Sequence, residues 1–426
     1  MTATEAHQAI DAIWRIESAR LIAGLTRITR DVGLAEELAQ DALVAALEQW
    51  PGSGVPANPG AWLMATARRR AIDAFRRSSL LRRKHEEIGR RLAAGQGADG
   101  PDLDAAIDDD VGDDLLRLVF MTCHPILPGE ARVALTLRLL GGLSTQEIAR
   151  GFLAAESTIA QRIVRAKKSL ADAGVPFEVP RGADRDARLA SVLEVIYLIF
   201  NEGYTATSGG DWLRPSLCED ALRLGRILAE LALGESEVHG LLALMEIQAS
   251  RARARVGPTG EPILLLDQDR ARWDQLLIRR GLAAIERARA IGTPEGFYLL
   301  QASIAACHAR AVVAEQTDWA RIAADYDELA RVAPSPVVQL NRAMAVSMAF
   351  GPERGLALVD ALGSEPSLRG YHLLPAARAD LLSKLDRHDE ARLAFELAAS
   401  LTKNARERAL LLDRARACNP SDPAAG

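Results

Sequence analysis

The chain has 426 residues, of which 49% are hydrophobic and 26% are charged, and its formal net charge is −5. This composition excludes a disordered or membrane-embedded protein, and the length predicts roughly two to four domains. Four cysteines, at positions 123, 218, 307 and 418, exclude a disulfide scaffold and a CxxC zinc site. Because no secretory or membrane-spanning stretch is visible, we expect a cytoplasmic protein with no membrane partner.

The charge is distributed unevenly along the chain. Residues 62–84 contain eight basic residues and one acid, Asp73, whereas residues 99–114 contain eight aspartates and no basic residue. A nucleic-acid backbone responds to such a local patch rather than to the net charge. The overall acidity therefore does not exclude a nucleic acid as a partner.

Helix-forming residues and apolar residues at helical spacing, such as Leu21, Leu25 and Ile28, predict an all-α chain. The run Ile263–Leu266 is the only short β candidate. Composition divides the chain into a first helical domain over residues 5–78, a linker rich in Gly and Asp over 79–112, a second small helical domain over 113–173, and a C-terminal region over 184–418.

The C-terminal region carries a weak internal repeat. Trp319, Ile322, Tyr326, Leu329 and Pro334 fit one helix of a tetratricopeptide unit and the proline that follows it. Small and large residues return in the same order 33 and then 36 residues further on, at Gly355, Val359, Leu362, Ala391, Phe395 and Ala398. The pattern predicts stacked helical hairpins with a concave binding face, although Ala-rich hairpins produce similar spacing by chance.

Residues 143–170 have the pattern of a helix-turn-helix. Ser144 and Glu147 form a capping box that begins a short helix, and a second helix follows from about Glu156. The second helix has an apolar stripe made of Ile159, Ile163, Ala166 and Leu170. Its other face carries the polar residues Ser157, Thr158, Gln161, Arg162, Arg165 and Lys168. Such a face suits the major groove of DNA, and the alternative is a helical hairpin with a solvated face.

Two earlier segments have less specific patterns. Residues 59–77 place arginines opposite an apolar face, which suits melted DNA, although Trp62 alone is better explained as a core anchor. Residues 31–43 predict an amphipathic acidic helix that by itself indicates no function.

Together and in this order, the segments AEELAQDAL (35–43), PGAWLMATARRRAIDAFRR (59–77) and the helix-turn-helix resemble the extracytoplasmic-function group of sigma-70 factors over residues 10–173. The resemblance implies two sigma domains, which bind the β′ clamp helices and the β flap of core RNA polymerase. The implied core-binding residues are Glu36, Glu37, Leu38, Gln40 and Asp41. The implied contacts to the −10 promoter element are Trp62, Arg68, Arg69, Arg70, Asp73, Arg76 and Arg77. The implied contacts to the −35 element are Ser157, Thr158, Gln161, Arg162, Arg165 and Lys168.

The chain departs from the family pattern at two positions. Arg69 stands where the family usually has Asn, and Ala155 replaces the usual cap of the recognition helix. The base preference at both promoter elements is therefore not predicted.

Three further stretches, Met121–Pro125, Tyr197–Tyr204 and Asp267–Trp273, resemble the subgroup of these factors that carries a tetratricopeptide-like C-terminal extension. In that subgroup the extension regulates the factor in place of a separate anti-sigma protein. The resemblance therefore implies a regulatory protein or ligand on the extension.

An enzyme is the least favoured class. Adjacent Cys123 and His124 diverge on a helix, and no phosphate loop, nucleophile elbow or metal spacing is present. We therefore expect no catalytic residues, cofactor or metal. Residues 201–204 with 209–211 are either a ligand pocket or a helix end and turn. The alternative function is a one-component helix-turn-helix regulator with a tetratricopeptide sensor, which leaves the two earlier segments unexplained.

Overall fold

The computed structural model describes residues 3–90, 111–152, 154–204, 215–258, 261–402 and 404–418. In these ranges the chain is helical, with an isolated antiparallel bridge between Val256 and Pro262 and no strand, which confirms the all-α prediction. The β candidate Ile263–Leu266 is wrong, because Leu265–Asp267 forms a 3-10 turn. A search of the described helices for one able to cross a bilayer finds none.

Two compact units, residues 1–195 and 196–426, make up the chain. Helix α8 begins in the first unit and ends in the second. The helices of the described residues are α1 (Ala3–Thr29), α2 (Val32–Ser53), α3 (Pro59–Arg90), α4 (Val111–Thr122), α5 (Gly129–Leu139), α6 (Thr145–Gly151), α7 (Glu156–Asp172), α8 (Gly182–Tyr204), α9 (Pro215–Leu231), α10 (Ser236–Ser250), α11 (Gln275–Ala290), α12 (Phe297–Arg310), α13 (Trp319–Val332), α14 (Pro336–Phe350), α15 (Pro352–Ala361), α16 (Leu373–Lys384), α17 (His388–Leu401) and α18 (Ala405–Ala417).

Helices α1, α2 and α3 pack around one apolar core in the first unit. The Asp31 carboxylate caps α2, accepting hydrogen bonds from the backbone N–H groups of Gly33 and Leu34 at 2.7 and 3.1 Å. Trp50 near the end of α2 is almost completely buried. Helix α3 runs on to Arg90, twelve residues past the domain end expected at residue 78. Residues 91–110 of the expected linker lie outside the described residues.

Helices α4 to α7 and the beginning of α8 complete the first unit. The Ser191 hydroxyl on α8 donates to the Cys123 carbonyl oxygen at 2.6 Å. Arg132 on α5 donates to the hydroxyl of Ser191 at 2.5 Å and to the carboxylate of Glu194 at 3.0 Å. These bonds attach residues 191–194 to the helices before them, so the compact unit extends beyond residue 173.

The second unit contains a series of helical hairpins. Its equivalent helices α13, α15 and α17 begin at Trp319, Pro352 and His388, which reproduces the predicted offsets of 33 and 36 residues. Each repeat leaves apolar residues buried against the next, and the last two repeats share one apolar cluster around Phe395. A Cβ added at Gly355 would lie 2.3 Å from the Cβ of Ser347, so this glycine permits close approach of α14 and α15.

Candidate nucleic-acid and polymerase interfaces

The helix-turn-helix has the local structure that its sequence predicts. The Glu147 carboxylate accepts a hydrogen bond from the Ser144 N–H at 2.8 Å, and the Ser144 hydroxyl accepts one from the Glu147 N–H at 3.1 Å. This capping box begins α6. Helix α7 starts after Ala155, whose methyl group makes no capping bond.

Helix α7 separates its apolar and polar residues onto opposite faces. The stripe predicted to be apolar is buried, and it comprises Ile159, Ile163, Ala166 and Leu170. The side chains left exposed are Ser157, Thr158, Gln161, Arg165 and Lys168. Arg162 is partly buried and forms an ion pair with Glu130 at 2.5 Å. Val164, which the sequence pattern did not single out, is 64% exposed on this polar face.

Helix α3 presents its basic residues unequally. Arg69, Asp73 and Arg76 are exposed, whereas Arg68 and Arg70 are partly buried. The Arg77 side chain lies outside the described residues. The exposed Asp73 carboxylate lies between Arg69 and Arg76 in the sequence, so the exposed face of α3 is not uniformly positive.

Trp62 is half-buried at the start of α3, where its ring contacts Trp50 edge to face at a centroid distance of 5.2 Å. The Asn58 side chain accepts a hydrogen bond from the Ala61 N–H at 3.0 Å and so fixes the first turn of the helix. Trp62 therefore anchors α3 on α2, while part of its ring remains accessible.

The five residues implied in core binding do not form one exposed surface on α2. Glu37 and Asp41 are exposed and Gln40 is half-buried, whereas Glu36 and Leu38 are 3% and 4% exposed. Asp41 also forms an ion pair with Arg70 of α3 at 3.3 Å. The accessible part of the acidic helix is therefore the edge formed by Glu37, Gln40 and Asp41.

Glu36 lies in a buried ion-pair cluster with residues far away in the chain. Its carboxylate accepts a hydrogen bond from Arg138 Nε of α5 at 2.6 Å and another from Gln40 Nε2 at 2.6 Å. It also forms an ion pair with Lys167 of α7, the helix with the exposed polar face. We call Glu36, Gln40, Arg138 and Lys167 the Glu36 cluster. Nothing in the local pattern around residue 36 indicates these partners.

A second ion pair joins the same two parts of the first unit. Asp114 of α4, which is buried, pairs with Arg27 of α1 at 3.2 Å and with Arg117 at 2.8 Å. Together with the Glu36 cluster, this pair holds helices α1 and α2 against helices α4, α5 and α7. The acidic helix and the helix-turn-helix are thus in contact in this conformation.

Cys123 is buried and the adjacent His124 is partly buried. Burial raises the pKa of the Cys123 thiol, which lies 3.4 Å from the Thr136 hydroxyl. Burial, followed by the charge of Arg188, lowers the pKa of His124. Over the described ranges, no group of three His, Cys, Asp or Glu side chains is arranged to hold a metal ion.

Three family models match the chain. Sigma-70 region 2 matches residues 15–80 and sigma-70 region 4 matches residues 117–170. A family of unknown function, DUF6596, matches residues 188–289. The first two models cover α1 to α3 and α4 to α7, the helices that carry the basic, acidic and helix-turn-helix segments.

The curated relatives described here match either nearly the whole chain or less than half of it. Uncharacterized protein R00370 of Rhizobium meliloti is 45% identical over 388 residues, which are 91% of this chain and 90% of that protein. The ECF RNA polymerase sigma factor SigK of Mycobacterium ulcerans is 30% identical over 152 residues, 34% of this chain and 75% of that protein. The probable ECF RNA polymerase sigma factor SigI of Mycobacterium tuberculosis is 27% identical over 174 residues, 41% of this chain and 58% of that protein.

No solved structure gives a significant match. The matches to regions 2 and 4 lie in the chain order predicted from the acidic, basic and helix-turn-helix segments. The similarity to SigK covers three quarters of that sigma factor. The chain therefore belongs to the extracytoplasmic-function group of sigma-70 RNA polymerase sigma factors, and a C-terminal helical extension follows its sigma regions.

Proposed function

We propose that this sigma factor directs initiation at its promoters by placing α3 on the −10 element and α7 on the −35 element, under the control of its C-terminal extension. The observation that carries the proposal is the polar face of α7, which is exposed along its length while the opposite stripe is buried. A helix that enters the major groove needs this separation of faces.

The residues on α7 suit two kinds of contact. Ser157, Thr158 and Gln161 lie near the N-terminal end, where hydrogen-bonding side chains meet base edges. Arg165 and Lys168 lie further along and suit phosphates, as does Arg162 once it leaves Glu130, because exposed ion pairs are weak. Val164 adds an apolar surface for a thymine methyl group.

On α3, the arginines are the contacts proposed for the −10 element. Exposed Arg69 and Arg76 suit phosphates of a melted strand, and the accessible part of Trp62 suits stacking on a base. Arg68, Arg70, Asp73 and Arg77 complete the surface proposed for this element.

Core polymerase is proposed to contact α2 through its β′ clamp helices and region 4 through its β flap. Glu37, Asp41 and the accessible part of Gln40 can make this contact while region 2 and region 4 touch each other, an arrangement that we call the closed conformation. Glu36 would reach the polymerase only after Arg138 and Lys167 release it, and Leu38 only after α2 is uncovered.

Promoter geometry requires the two regions to separate. Elements about 25 base pairs apart lie about 85 Å apart along B-DNA, at 3.4 Å per base pair. Region 2 and region 4 are in direct contact through the Glu36 cluster. We therefore infer that the closed conformation opens when the factor binds polymerase.

Regulation by the extension is proposed to act through α8. This helix is bonded to region 4 through Ser191 and Glu194 and continues into the second unit as far as Tyr204. We propose that a change at the end of α8 reaches region 4 along this helix.

Transcription reconstituted from purified components tests the assignment. The full chain with core polymerase should initiate from a promoter identified by mapping transcript starts after overexpression, and the chain without core should not. If the protein instead changed transcription by a different sigma factor and never joined core, the one-component regulator would be the correct description.

A truncation after Val195 tests the regulatory part. It retains Ser191 and Glu194, which bind region 4, whereas truncation near Pro180 removes them. Output from residues 1–195 should differ several-fold from output of the full chain at equal concentration. Equal output over all growth conditions would contradict regulation by the extension.

A further inference from the structure

Two buried arginines and one half-buried arginine surround two aromatic rings in the second unit. The Arg255 guanidinium lies 3.7 Å from the centroid of the Tyr204 ring, at the end of α8. The Arg251 guanidinium lies between the rings of Tyr204 and Trp273, at 5.8 and 5.7 Å, and that of Arg270 lies 5.1 Å from Trp273. Arg251 is only 9% exposed and Arg255 only 8%. We call Arg251, Arg255 and Arg270 the arginine cluster.

Two members of the cluster, Arg251 and Arg270, have no carboxylate in direct contact, although the charge of Glu315 acts on Arg270 from a greater distance. Arg270 donates to the carbonyl oxygens of His308 and Ala311 at 2.6 and 2.8 Å and to the Thr317 hydroxyl at 3.0 Å, all neutral groups. Arg251 donates to the Gln248 side-chain amide, and its Nε is buried without a partner. In the part of the chain that the structure describes, no carboxylate lies within ion-pair distance of either one. Burying the Arg251 cation in this way is costly unless an anion compensates it.

The positive charge of these arginines affects the pKa of the neighbouring His308. Burial lowers the pKa of His308 to about 3, and the positive charges of Arg251 and Arg270 contribute to that shift. The positive charges of Arg251 and Arg270 therefore disfavour a further cation beside them.

A cavity of about 630 Å³ adjoins the cluster at Trp273. Two exposed arginines, Arg253 and Arg272, lie on its wall. Asp274 also lines it, but that carboxylate caps α11 by accepting hydrogen bonds from the N–H groups of Leu276 and Leu277. The volume is that of a small-molecule site, and the charge at its wall and behind Trp273 is predominantly positive.

We propose that the extension binds a small organic or inorganic oxyanion in this cavity, a phosphate or a carboxylate compound. Arg253 and Arg272 bind its oxygens directly, and Arg251 and Arg270 stabilise its charge from behind Trp273. The idea that this ligand is the signal that controls α8 rests on the proposed function. Binding of the ligand is measured without polymerase, so a failure of the binding experiment is distinguishable from a failure of the proposed function.

Calorimetric titration of the full chain tests the binding, with inorganic phosphate and malonate in separate arms and sodium chloride at matched ionic strength as the blank. One of the two probes should bind saturably at one site, which distinguishes a phosphate from a carboxylate ligand. Arg253→Gln with Arg272→Gln should weaken that binding roughly tenfold or more, since each contact to a charged group is lost. Arg279→Gln, an exposed arginine on α11, should not change it. No saturable binding of either probe, or equal binding in all variants, would overturn the proposal.

Replacement of Arg251 separates a ligand site from a structural cluster. In a chloride buffer without phosphate or carboxylates, Arg251→Met should leave the thermal unfolding midpoint unchanged or raise it, because a buried charge without a direct counterion is removed. The rise in midpoint that the bound anion gives the wild type should shrink in this variant. A lower midpoint in Arg251→Met, together with a wild type that no anion stabilises, would show that Arg251 only supports the packing of Tyr204 and Trp273.

Discussion

The Glu36 cluster in the first unit and the arginine cluster in the second unit both bury charge, but they balance it differently. Glu36 has two cationic partners, Arg138 and Lys167, and an amide from Gln40. Arg251 and Arg270 have only neutral acceptors and aromatic rings. The charge of Glu36 is balanced by direct contacts within the protein, whereas no carboxylate directly contacts Arg251 or Arg270.

This difference assigns a different role to each region. A buried carboxylate that is satisfied by residues of another domain holds the two domains together, and its partners lose their counterion when the domains separate. A buried cation without a directly bound counterion can instead be stabilised by an anion that binds from solution. We therefore expect the Glu36 cluster to control opening and the arginine cluster to respond to a ligand.

The largest effect is expected for the exposed acids of α2, Glu37 and Asp41, rather than for the buried Glu36. Glu37→Lys with Asp41→Lys should abolish binding to core polymerase, since like charges at an interface cost several kcal/mol. The free energy of unfolding should change by no more than about 1 kcal/mol, because both positions are exposed and only the Asp41–Arg70 surface pair is lost. Affinity for core is measured by fluorescence anisotropy.

The control for this pair is Glu230→Lys with Glu286→Lys in the second unit, which makes the same change in net charge at exposed positions. It should leave core affinity unchanged. If both double variants bound core equally well, α2 would be a solvated helix rather than an interface.

Glu36→Gln should open the contact between region 2 and region 4. The change leaves Arg138 and Lys167 facing an uncharged group, and removal of one partner from a buried ion pair costs about 3 kcal/mol or more. Hydrogen exchange in peptides from α2 and α7 of the full chain should accelerate accordingly. Glu37→Gln, one residue along and exposed, should leave exchange unchanged, and equal protection in both variants would contradict the role of the cluster.

Acid should destabilise the second unit through His308. The pKa of His308 is about 3 in the folded protein and 6.5 in the unfolded chain, so the unfolded chain binds the extra proton between these values. The contribution of neutral His308 to the free energy of unfolding is therefore complete above pH 6.5. It decreases as the pH falls, by about 2 kcal/mol at pH 5. The difference in unfolding free energy between wild type and His308→Gln, followed by urea titration, should show this slope.

Arg251→Met should raise the folded-state pKa of His308, because it removes one of the two positive charges that add to the effect of burial. The loss of stability should then end at a higher pH than in the wild type, where the folded protein also binds the proton. An unchanged lower limit in this variant would contradict a contribution of Arg251 to the protonation of His308.

The smallest effects concern single residues on α7. Gln161→Ala should relax preference at one position of the −35 element at a cost of about 1 kcal/mol, whereas Arg165→Ala should weaken all promoters alike and reduce the salt slope by about one unit. Promoter libraries transcribed at several salt concentrations measure both quantities. Loss of base preference in both variants would contradict the division into base and phosphate contacts.

Sequence periodicity predicted the features that depend on neighbours along the chain. The buried stripe of α7 follows from the spacing of Ile159, Ile163, Ala166 and Leu170, and the capping box of α6 follows from Ser144 and Glu147. The hairpins of the extension follow from small residues such as Gly355 that recur at similar offsets, of 33 and 36 residues.

Features that depend on distant residues could not be predicted in this way. Arg138, the partner of Glu36, lies 102 residues further along the chain, and Arg255 reaches Tyr204 across 51 residues. The helical pattern makes position 36 polar but cannot indicate that another domain covers it. Composition likewise assigns the beginning of α8 to the extension, whereas the bonds of Ser191 and Glu194 to Arg132 attach it to region 4.

The central claim is that region 2 and region 4 separate when the protein binds core polymerase. The distance between α2 and α7 tests this claim most directly. Spin labels at Gln49→Cys on α2 and Ser169→Cys on α7, both exposed positions, report the separation of region 2 and region 4. A Cys218→Ala background suits the labelling, since the other three native cysteines are buried. Pulsed electron paramagnetic resonance should give one short distance for the full chain alone and a distance several tens of Å longer in the complex with core polymerase and promoter DNA. A short distance that persists in a transcribing complex would contradict the account.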